Sequence, residues 1–438
     1  MFFIITFIGL FILNSFLILS RPINVFPEVF FFSWLIKKGL LPYRDFFDDH
    51  GFFLQWLLSP LTIDKSLLLI KATYFLLHAF NLLLVLLIIK KNKSKLSYFF
   101  GGLIYVLLMF FLSENDFWFE LLITTFYLSA YLILISKKPK WKNFIVGLFI
   151  GLAALVKPTA GLVIAPVFFI KKRLSIILGF ILPLFLTVIY FLLNNGLSGL
   201  IDDLIGYNLY LAKFYRPVYL SDQKFLVTGI FLIILSMLAV FVSKQRNKTR
   251  LTTIFLFCSL IFLVSGYTRV RLVPIATFFS IFIAITISII KPKYRLIYFP
   301  IIVVYCLVMI VKVYQHYSYL GSGKRIPYIE EKTGQLITSY LKQNKLSENF
   351  FILGNTVQPY YLLNHLPPTY FPLRYPMVEK YYPDFEERLI SDIKRKKVTI
   401  VVIVPGKEFN WRMISLFIKK NFKLRYDSGE FQVYQKGN

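Results

Sequence analysis

Charged residues are scarce in this chain of 438 residues. They make up 16% of it, whereas 57% of the residues are hydrophobic. A soluble domain of average composition carries about 25% charged residues. Apolar runs of roughly 14 to 20 residues, separated by short basic clusters, are typical of a polytopic helical membrane protein. The composition therefore excludes a large soluble enzyme.

Acidic residues and cysteines are rarer still. The chain has 22 Asp and Glu against 50 Lys and Arg, which gives a formal net charge of +28. The basic residues are spread over short loops and do not form one basic and aromatic face, so we predict no nucleic-acid partner. The two cysteines, Cys258 and Cys306, each lie inside an apolar run. They are typical of small core residues and exclude a disulfide framework.

The apolar runs predict a membrane domain over residues 1–313. Met1–Ser20 resembles a signal peptide but lacks a basic leader and a clear cleavage site, so we expect a retained first helix. Val29–Leu40 is short and amphipathic, which favours a helix lying along the membrane surface. The eleven predicted spans are about Phe2–Ser20, Ser66–Ile89, Leu96–Leu112, Leu121–Ile135, Phe144–Val156, Thr159–Ile170, Leu174–Leu193, Phe225–Val242, Leu251–Val264, Val273–Ile290 and Leu296–Val313.

The loops between these spans alternate in charge. One set holds at least three Lys or Arg in each loop and no acid: Lys90–Lys95, Lys137–Lys142, Lys171–Arg173, Lys244–Arg250 and Lys291–Arg295. The other set carries the acids: Glu28–Asp49, Glu114–Glu120 and Asp202–Asp222. Because basic loops stay in the cytoplasm, we predict a multi-pass protein of the cell membrane (inner or plasma membrane) with a cytoplasmic N-terminus. The acidic loops and the C-terminus then lie outside.

From Tyr314 onward helical and strand-like segments alternate, which predicts a small extracytoplasmic α/β domain over residues 314–438. The predicted helices and strands are Glu330–Lys342, Asn349–Leu353, Val398–Val404, Trp411–Lys420 and a closing hairpin of Lys423–Tyr426 with Glu430–Tyr434. This region has no glycine-rich phosphate loop. We expect it to cover a site or to contact an acceptor.

The first acidic loop is the strongest candidate for a catalytic site, since carboxylates at a membrane boundary are costly. If Arg44–His50 is helical, Asp45 shares a face with Asp48 and Asp49. One carboxylate would then act as a general base, and its like-charged neighbours would raise its pKa. The alternative is a solvated loop whose acids pair with Arg44 and with lysines at the end of Val29–Leu40.

Asp49 and His50 are also candidate ligands of a divalent metal. Asp48, Asp49 and His50 are consecutive, however, which is poor spacing for one closed metal site. No other cofactor is predicted.

The second acidic loop contributes Asp116 and Glu120. Glu120 stands at the mouth of the following span, where an unpaired carboxylate is costly. The alternative is simple helix capping by Asn115 or Asp116. Both acids remain candidates for substrate binding.

Four basic residues are candidates for holding an anionic, lipid-linked substrate: Lys157, Arg269, Arg271 and Arg44. Arginine suits a phosphate because its guanidinium forms paired, charge-assisted hydrogen bonds. The alternative for Arg269 and Arg271 is snorkelling to lipid headgroups. Lys157 precedes Pro158 and separates two short apolar segments.

Three segments carry a family resemblance: Pro27-Glu28 with Tyr43–Gly51, then Gly151–Pro158, and in the C-terminal region Phe350–Gly354 with Tyr360–Pro368. In these the chain resembles the GT-C fold lipid-linked glycosyltransferases, especially bacterial relatives of the protein O-mannosyltransferases and of the aminoarabinose transferase acting on lipid A. The resemblance implies a membrane enzyme of the cell envelope. It implies transfer, with inversion, of a sugar from a polyprenyl-phosphate donor in the bilayer to an extracytoplasmic protein, lipid or glycan.

The chain departs from the family pattern at two places. Pro27 replaces the first acid of an Asp-Glu pair, and Gly51-Phe52 follows His50 where the family has prolines. The resemblance favours Asp48 as the base, with Asp45 as the alternative and Glu28 in support. Two other hypotheses stay open: a transporter or flippase of lipid-linked glycans, and a catalytically inactive scaffold.

Overall fold

The computed structural model describes residues 1–437 apart from 64, 92–93, 137–140, 172, 215–245, 260–268, 291, 323–327, 374–376 and 405–410. The predicted span Phe225–Val242 and the end of Leu251–Val264 lie outside the described residues. The predicted domain boundary at residue 313 falls inside a continuous helix, Pro292–Leu320.

Among the described residues, six helical segments are long and apolar enough to cross a bilayer: Phe2–Leu19, Leu68–Lys90, Lys95–Ser113, Leu174–Leu193, Arg269–Ile289 and Tyr298–Leu320. Three shorter apolar segments are Phe119–Leu134, Lys142–Val156 and Pro158–Phe168. They confirm the helical, multi-pass membrane architecture. The number of eleven crossings stays a prediction.

Within the segment Arg269–Ile289, a 3-10 turn over Arg269–Leu272 leads into the α-helix Val273–Ile289. The other helical elements are Phe53–Leu58, Ser59–Leu61, Pro158–Val163, Ile164–Lys171, Leu197–Gly199, Leu200–Tyr207, Asn208–Ala212 and Arg246–Ser259. Leu200–Tyr207 is a π-helix, whereas Ser59–Leu61 and Pro158–Val163 are 3-10 turns.

The core of the membrane part is formed by helices Lys95–Ser113 and Val273–Ile289, which pack against each other and are buried over most of their length. Helices Phe2–Leu19 and Leu174–Leu193 lie at the periphery and expose mostly Ile, Leu and Phe. Such side chains suit contact with lipid, since the bilayer interior is as apolar as they are.

The two acidic loops are joined by a short parallel pair of strands. Strand β1 (Asn24–Val25) pairs with β2 (Asp116–Phe117), and the Asn24 side-chain amide donates to Asp116 Oδ1 over 2.9 Å. Asp116 therefore fastens one loop to the other. Its predicted contact with substrate gains no support from this geometry.

A helix over Pro27–Lys37 follows β1. Pro27 stands at its first turn, where proline is favoured because the missing N–H would have no helical partner. Its apolar side chains are buried, and Phe30 and Trp34 contact Tyr361 of the C-terminal region. The predicted helix is present and its apolar side chains are covered by protein, whereas its position along the membrane surface stays a prediction.

The C-terminal unit (residues 328–437) has a four-stranded sheet of order β3-β4-β6-β5. Strand β3 (Phe350–Leu353) is parallel to β4 (Ile400–Ile403), and β5 (Phe422–Asp427) forms an antiparallel hairpin with β6 (Gln432–Lys436). The predicted strands are confirmed. Its helices are Tyr328–Glu330, Lys332–Gln343, Gln358–Leu363, Val378–Tyr381, Phe385–Arg395 and Arg412–Asn421.

The C-terminal unit contacts the first acidic loop directly. The backbone N–H of Phe47 donates to the Tyr370 carbonyl over 2.8 Å, and the Tyr370 hydroxyl lies 2.9 Å from the Tyr43 carbonyl oxygen. The same hydroxyl is hydrogen-bonded to Asp203, whose other carboxylate oxygen accepts from Tyr382 over 2.6 Å. The unit thus packs over the loop and holds its backbone.

Candidate active site

The backbone between helices Pro27–Lys37 and Phe53–Leu58 is a series of turns and contains no helix. The hypothesis of a helix over Arg44–His50 is therefore wrong, and Asp45 does not share a helical face with Asp48. Asp45 accepts the Leu41 N–H over 2.8 Å and pairs with Arg44 over 2.7 Å.

Arg44 also donates to the carbonyl oxygen of Asn194 over 3.1 Å. These contacts fasten the turn to a neighbouring segment. They give no support to Asp45 as a base or to Arg44 as a phosphate ligand.

The imidazole of His50 lies between two carboxylates. Its Nδ1 is 2.9 Å from Asp49 Oδ1 and 3.3 Å from Asp48 Oδ1. The ring stacks on Phe119 with a centroid separation of 4.5 Å and an interplanar angle of 1°. Burial alone would lower the pKa of His50, but the two carboxylates raise it to about 10. Near neutral pH this side chain is an imidazolium.

Asp48 is fully buried and both of its carboxylate oxygens are engaged. Oδ1 accepts the His50 backbone N–H over 3.0 Å, and Oδ2 accepts from Gln55 over 2.6 Å. The same Gln55 amide nitrogen donates to the Glu28 carbonyl over 3.1 Å. Asp48 therefore orients His50 and ties the loop to the helix Pro27–Lys37.

Glu28 lies in the first turn of the helix Pro27–Lys37, and one of its carboxylate oxygens is not used in the contacts above. Its Oε2 is buried and, among the described residues, accepts no hydrogen bond. Burial raises the pKa of Glu28 to about 7, while the nearby His50 imidazolium keeps it from rising further. A carboxylate with a pKa near the working pH is suited to general base catalysis.

Gly51 brings the loop against the end of helix Lys142–Val156. A Cβ atom at Gly51 would lie 2.1 Å from the Leu155 carbonyl oxygen, so only glycine permits this approach. The helix ends at Val156, because Pro158 disfavours helical backbone at Lys157. Lys157 Nζ is 3.0 Å from Oε1 of the fully buried Glu120.

The two predicted arginines of the turn Arg269–Leu272 have different neighbours. Arg271 lies close enough to Asp49 and Lys157 to influence the pKa of both side chains. Arg269 instead pairs with Glu114 over 3.1 Å and lies over the Phe111 ring. Of the predicted cations, the structure therefore brings Lys157 and Arg271 to the loop.

The ligand atoms of Asp48, Asp49 and His50 lie within 4.8 Å of one another, so this cluster fits a divalent cation. Two carboxylates and one imidazole suit Mg²⁺, Mn²⁺ or Zn²⁺. A metal requires the neutral imidazole, so cation and proton compete for the same place. A bound cation would supply positive charge beside a substrate phosphate.

Two contributors were missed in the sequence. Gln55 is the one polar residue of the segment Phe53–Leu58, and an amide isolated in an apolar helix was the available signal. Phe119, which supports the His50 ring, stands directly before Glu120 in an aromatic run and carries no separate signal.

A family model matches residues 52–329, which is 278 of the 438 residues. The chain belongs to the EpsG family. The match includes Glu120, Lys157 and Arg271, whereas the segment Glu28–Gly51 precedes it. No curated protein sequence matches this EpsG-family protein significantly.

The EpsG-family protein is similar in structure to ArnT from Cupriavidus metallidurans, crystallised in the apo state. The TM-score is 0.55 at 10% identity, and the alignment covers 98% of this chain and 97% of that chain. At this identity the likeness shows the fold, which is GT-C. Family and fold together place this EpsG-family protein among the membrane glycosyltransferases of the GT-C class.

The pair of Arg44 and Asp45 provides a test of structural against catalytic roles. We expect Asp45→Asn to keep glycosyl transfer within about threefold, because Asp45 is occupied by Arg44 and the Leu41 N–H. The melting temperature should fall only slightly, since such an ion pair contributes about 0.2–1 kcal/mol to stability. Turnover and melting temperature of the purified variant check this. A hundredfold loss of turnover in a folded variant would return Asp45 to the catalytic residues.

Proposed function

We propose that the protein transfers a sugar, with inversion, from a polyprenyl-phosphate donor to a hydroxyl or amine acceptor. The observation that carries this proposal is that the cations Lys157 and Arg271 both lie near Asp49, and that Asp49 lies near Glu28, whose pKa is raised by burial to about 7. Such a set supplies a base for the acceptor and positive charge for a phosphate leaving group.

The acceptor oxygen or nitrogen loses its proton to Glu28 as it attacks the anomeric carbon of the donor sugar. The bond between that carbon and the phosphate oxygen breaks, and its electron pair leaves with the polyprenyl phosphate. Lys157 and Arg271 stabilise the negative charge that develops there, which is where preorganised cations act most strongly. Attack opposite the leaving group inverts the anomeric centre.

Asp48 is a positioning residue in this mechanism. Its oxygens are occupied by Gln55 and by the His50 backbone, so it is poorly placed to accept a proton from the acceptor. We therefore propose Glu28 as the general base in place of Asp48, and Asp48 as the residue that orients His50.

The charge pattern of the loops supports an extracytoplasmic site. The loop Glu28–Gly51 belongs to the acidic set, which the positive-inside rule assigns to the outer face. The C-terminal unit packs over this loop through Tyr370, so we propose that it lies on the same side. There it would form one wall of the acceptor site.

Reconstitution tests the proposed function. The purified protein in liposomes is given polyprenyl-phosphate hexoses and pentoses with candidate acceptors, with and without a chelator. We expect release of polyprenyl phosphate and a product of opposite anomeric configuration. Movement of lipid-linked glycan across the bilayer without any cleavage of the sugar–phosphate bond would contradict transfer and favour the flippase.

A further inference from the structure

A cavity of about 430 Å³ lies apart from the cluster of Glu28, Asp48, Asp49 and His50. It is formed between the end of helix Lys95–Ser113, the turn at Arg269 and the helix Pro292–Leu320. Small ligands occupy cavities of about 300–1,000 Å³. None of its described lining residues belongs to the cluster that contains the proposed base.

The described lining of the cavity carries a net positive charge. Its described charged residues are Arg269, Lys312 and Glu114, and two cations with one carboxylate give +1 when the lining His is neutral. Arg269 is positioned by Glu114 over 3.1 Å, and its guanidinium lies 5.0 Å from the Phe111 ring centroid. Lys312 is exposed on the adjacent helix. A site of this charge suits a ligand with a single negative charge.

An apolar stripe leads to this cavity along the last membrane helix. Val304, Val308 and Val311 are 58%, 46% and 54% exposed, and their spacing places them on one helical face. Lys312 and Gln315 follow on the next turn and line the cavity. The helix therefore presents a lipid-facing surface that ends in a polar, cationic pocket.

We propose that this cavity binds the headgroup of an anionic phospholipid whose phosphodiester carries one negative charge. The phosphate contacts Lys312 and Arg269, and one acyl chain lies along the valine stripe. A polyprenyl phosphate is a monoester with a charge of about −1.5 to −2, which fits a single net positive charge less well. We assign that monoester to Lys157 and Arg271.

Lipid retention tests this site. The full-length protein in detergent is incubated with phosphatidylglycerol, and bound lipid is counted by native mass spectrometry while the melting temperature is recorded. We expect the protein to retain phosphatidylglycerol and to melt at a higher temperature with it. Phosphatidylcholine, which has the same chains and phosphodiester but no net charge, is expected to do neither.

Two single substitutions each reduce the net charge of the described lining from +1 to zero, with little change in side-chain size. We expect each of Lys312→Gln and Gln315→Glu to weaken phosphatidylglycerol binding by about tenfold or more, because the first removes a charged donor and the second places a carboxylate beside the phosphate. Lys342→Gln, on an exposed position of the C-terminal unit, is the matched control and should bind as the unchanged protein does. Melting temperatures without lipid establish that each variant is folded.

Three outcomes would overturn the proposal. These are equal retention of phosphatidylcholine, unchanged binding by both cavity variants, and displacement of phosphatidylglycerol by polyprenyl phosphate in the unchanged protein. The last outcome would identify the cavity as a carrier-lipid site. None of these readouts requires glycosyl transfer, so they are independent of the proposed function.

Discussion

Glu28→Gln is expected to lower the rate of glycosyl transfer by about 10²–10⁴-fold, the usual contribution of a general base. Gln has the shape of Glu but accepts no proton at neutral pH. The unchanged protein should show a rate that rises as the pH increases through about 7, because Glu28 must lose its proton before it can act. The variant should lack this rise.

Stability separates loss of the base from loss of the fold. The pKa of Glu28 is raised from 4.5 to about 7, so between these values the folded protein holds a proton that the unfolded chain releases. Ionised Glu28 therefore reduces stability as the pH rises through this window. Glu28→Gln should melt at the same or a higher temperature at pH 8. Full turnover in the variant would remove Glu28 from the mechanism.

Lys157→Met is expected to lower both turnover and stability. The substitution leaves Glu120 buried without its cation, which costs about 3–5 kcal/mol for a buried ion pair. It also removes positive charge from the leaving phosphate, for which we expect a loss of about 10²–10³ in rate. Melting temperature and single-turnover rates measure the two effects separately.

The double variant Lys157→Met with Glu120→Gln is the matched control. Removing the buried carboxylate should restore much of the melting temperature, whereas the rate should stay low because the cation is still missing. Glu120→Gln alone keeps the cation and should retain more activity than Lys157→Met. If the double variant regained turnover together with stability, the ion pair would be structural and the phosphate would require another partner.

The fold was largely predictable because its signals are local. Apolar run length located the six long apolar helical segments of the described residues, and alternation of composition located the strands of the C-terminal sheet. Burial of the helix Pro27–Lys37 was not predictable from its own pattern. The helix packs mainly against Phe53–Leu58 and Ser59–Leu61, but Tyr360 and Tyr361, which also contact it, are more than 300 positions away and leave no trace in its periodicity.

The residues of the candidate site were predictable in part from the sequence, but the contacts of each residue were not. Helical spacing grouped Asp45 with Asp48, yet the loop consists of turns and Asp45 pairs with Arg44. Two positions depart from the pattern of the GT-C glycosyltransferases that the sequence resembles, and the structure gives a physical reason for each. Pro27 begins the helix that carries Glu28, and Gly51 permits contact with Leu155. The reason for Pro27 is local, whereas the reason for Gly51 depends on a neighbour brought close by folding, which no local pattern reveals.

The hydrogen bond between Tyr370 and Tyr43 joins residues 327 positions apart. The ribosome makes the loop Glu28–Gly51 early and the segment that holds its backbone late. A nascent chain that has inserted only its first spans already carries the acids of the loop, but the contacts from Tyr370 to Phe47 and Tyr43 are still missing. The loop can reach its final form only after the C-terminal unit has been synthesised and has arrived on the same side of the membrane.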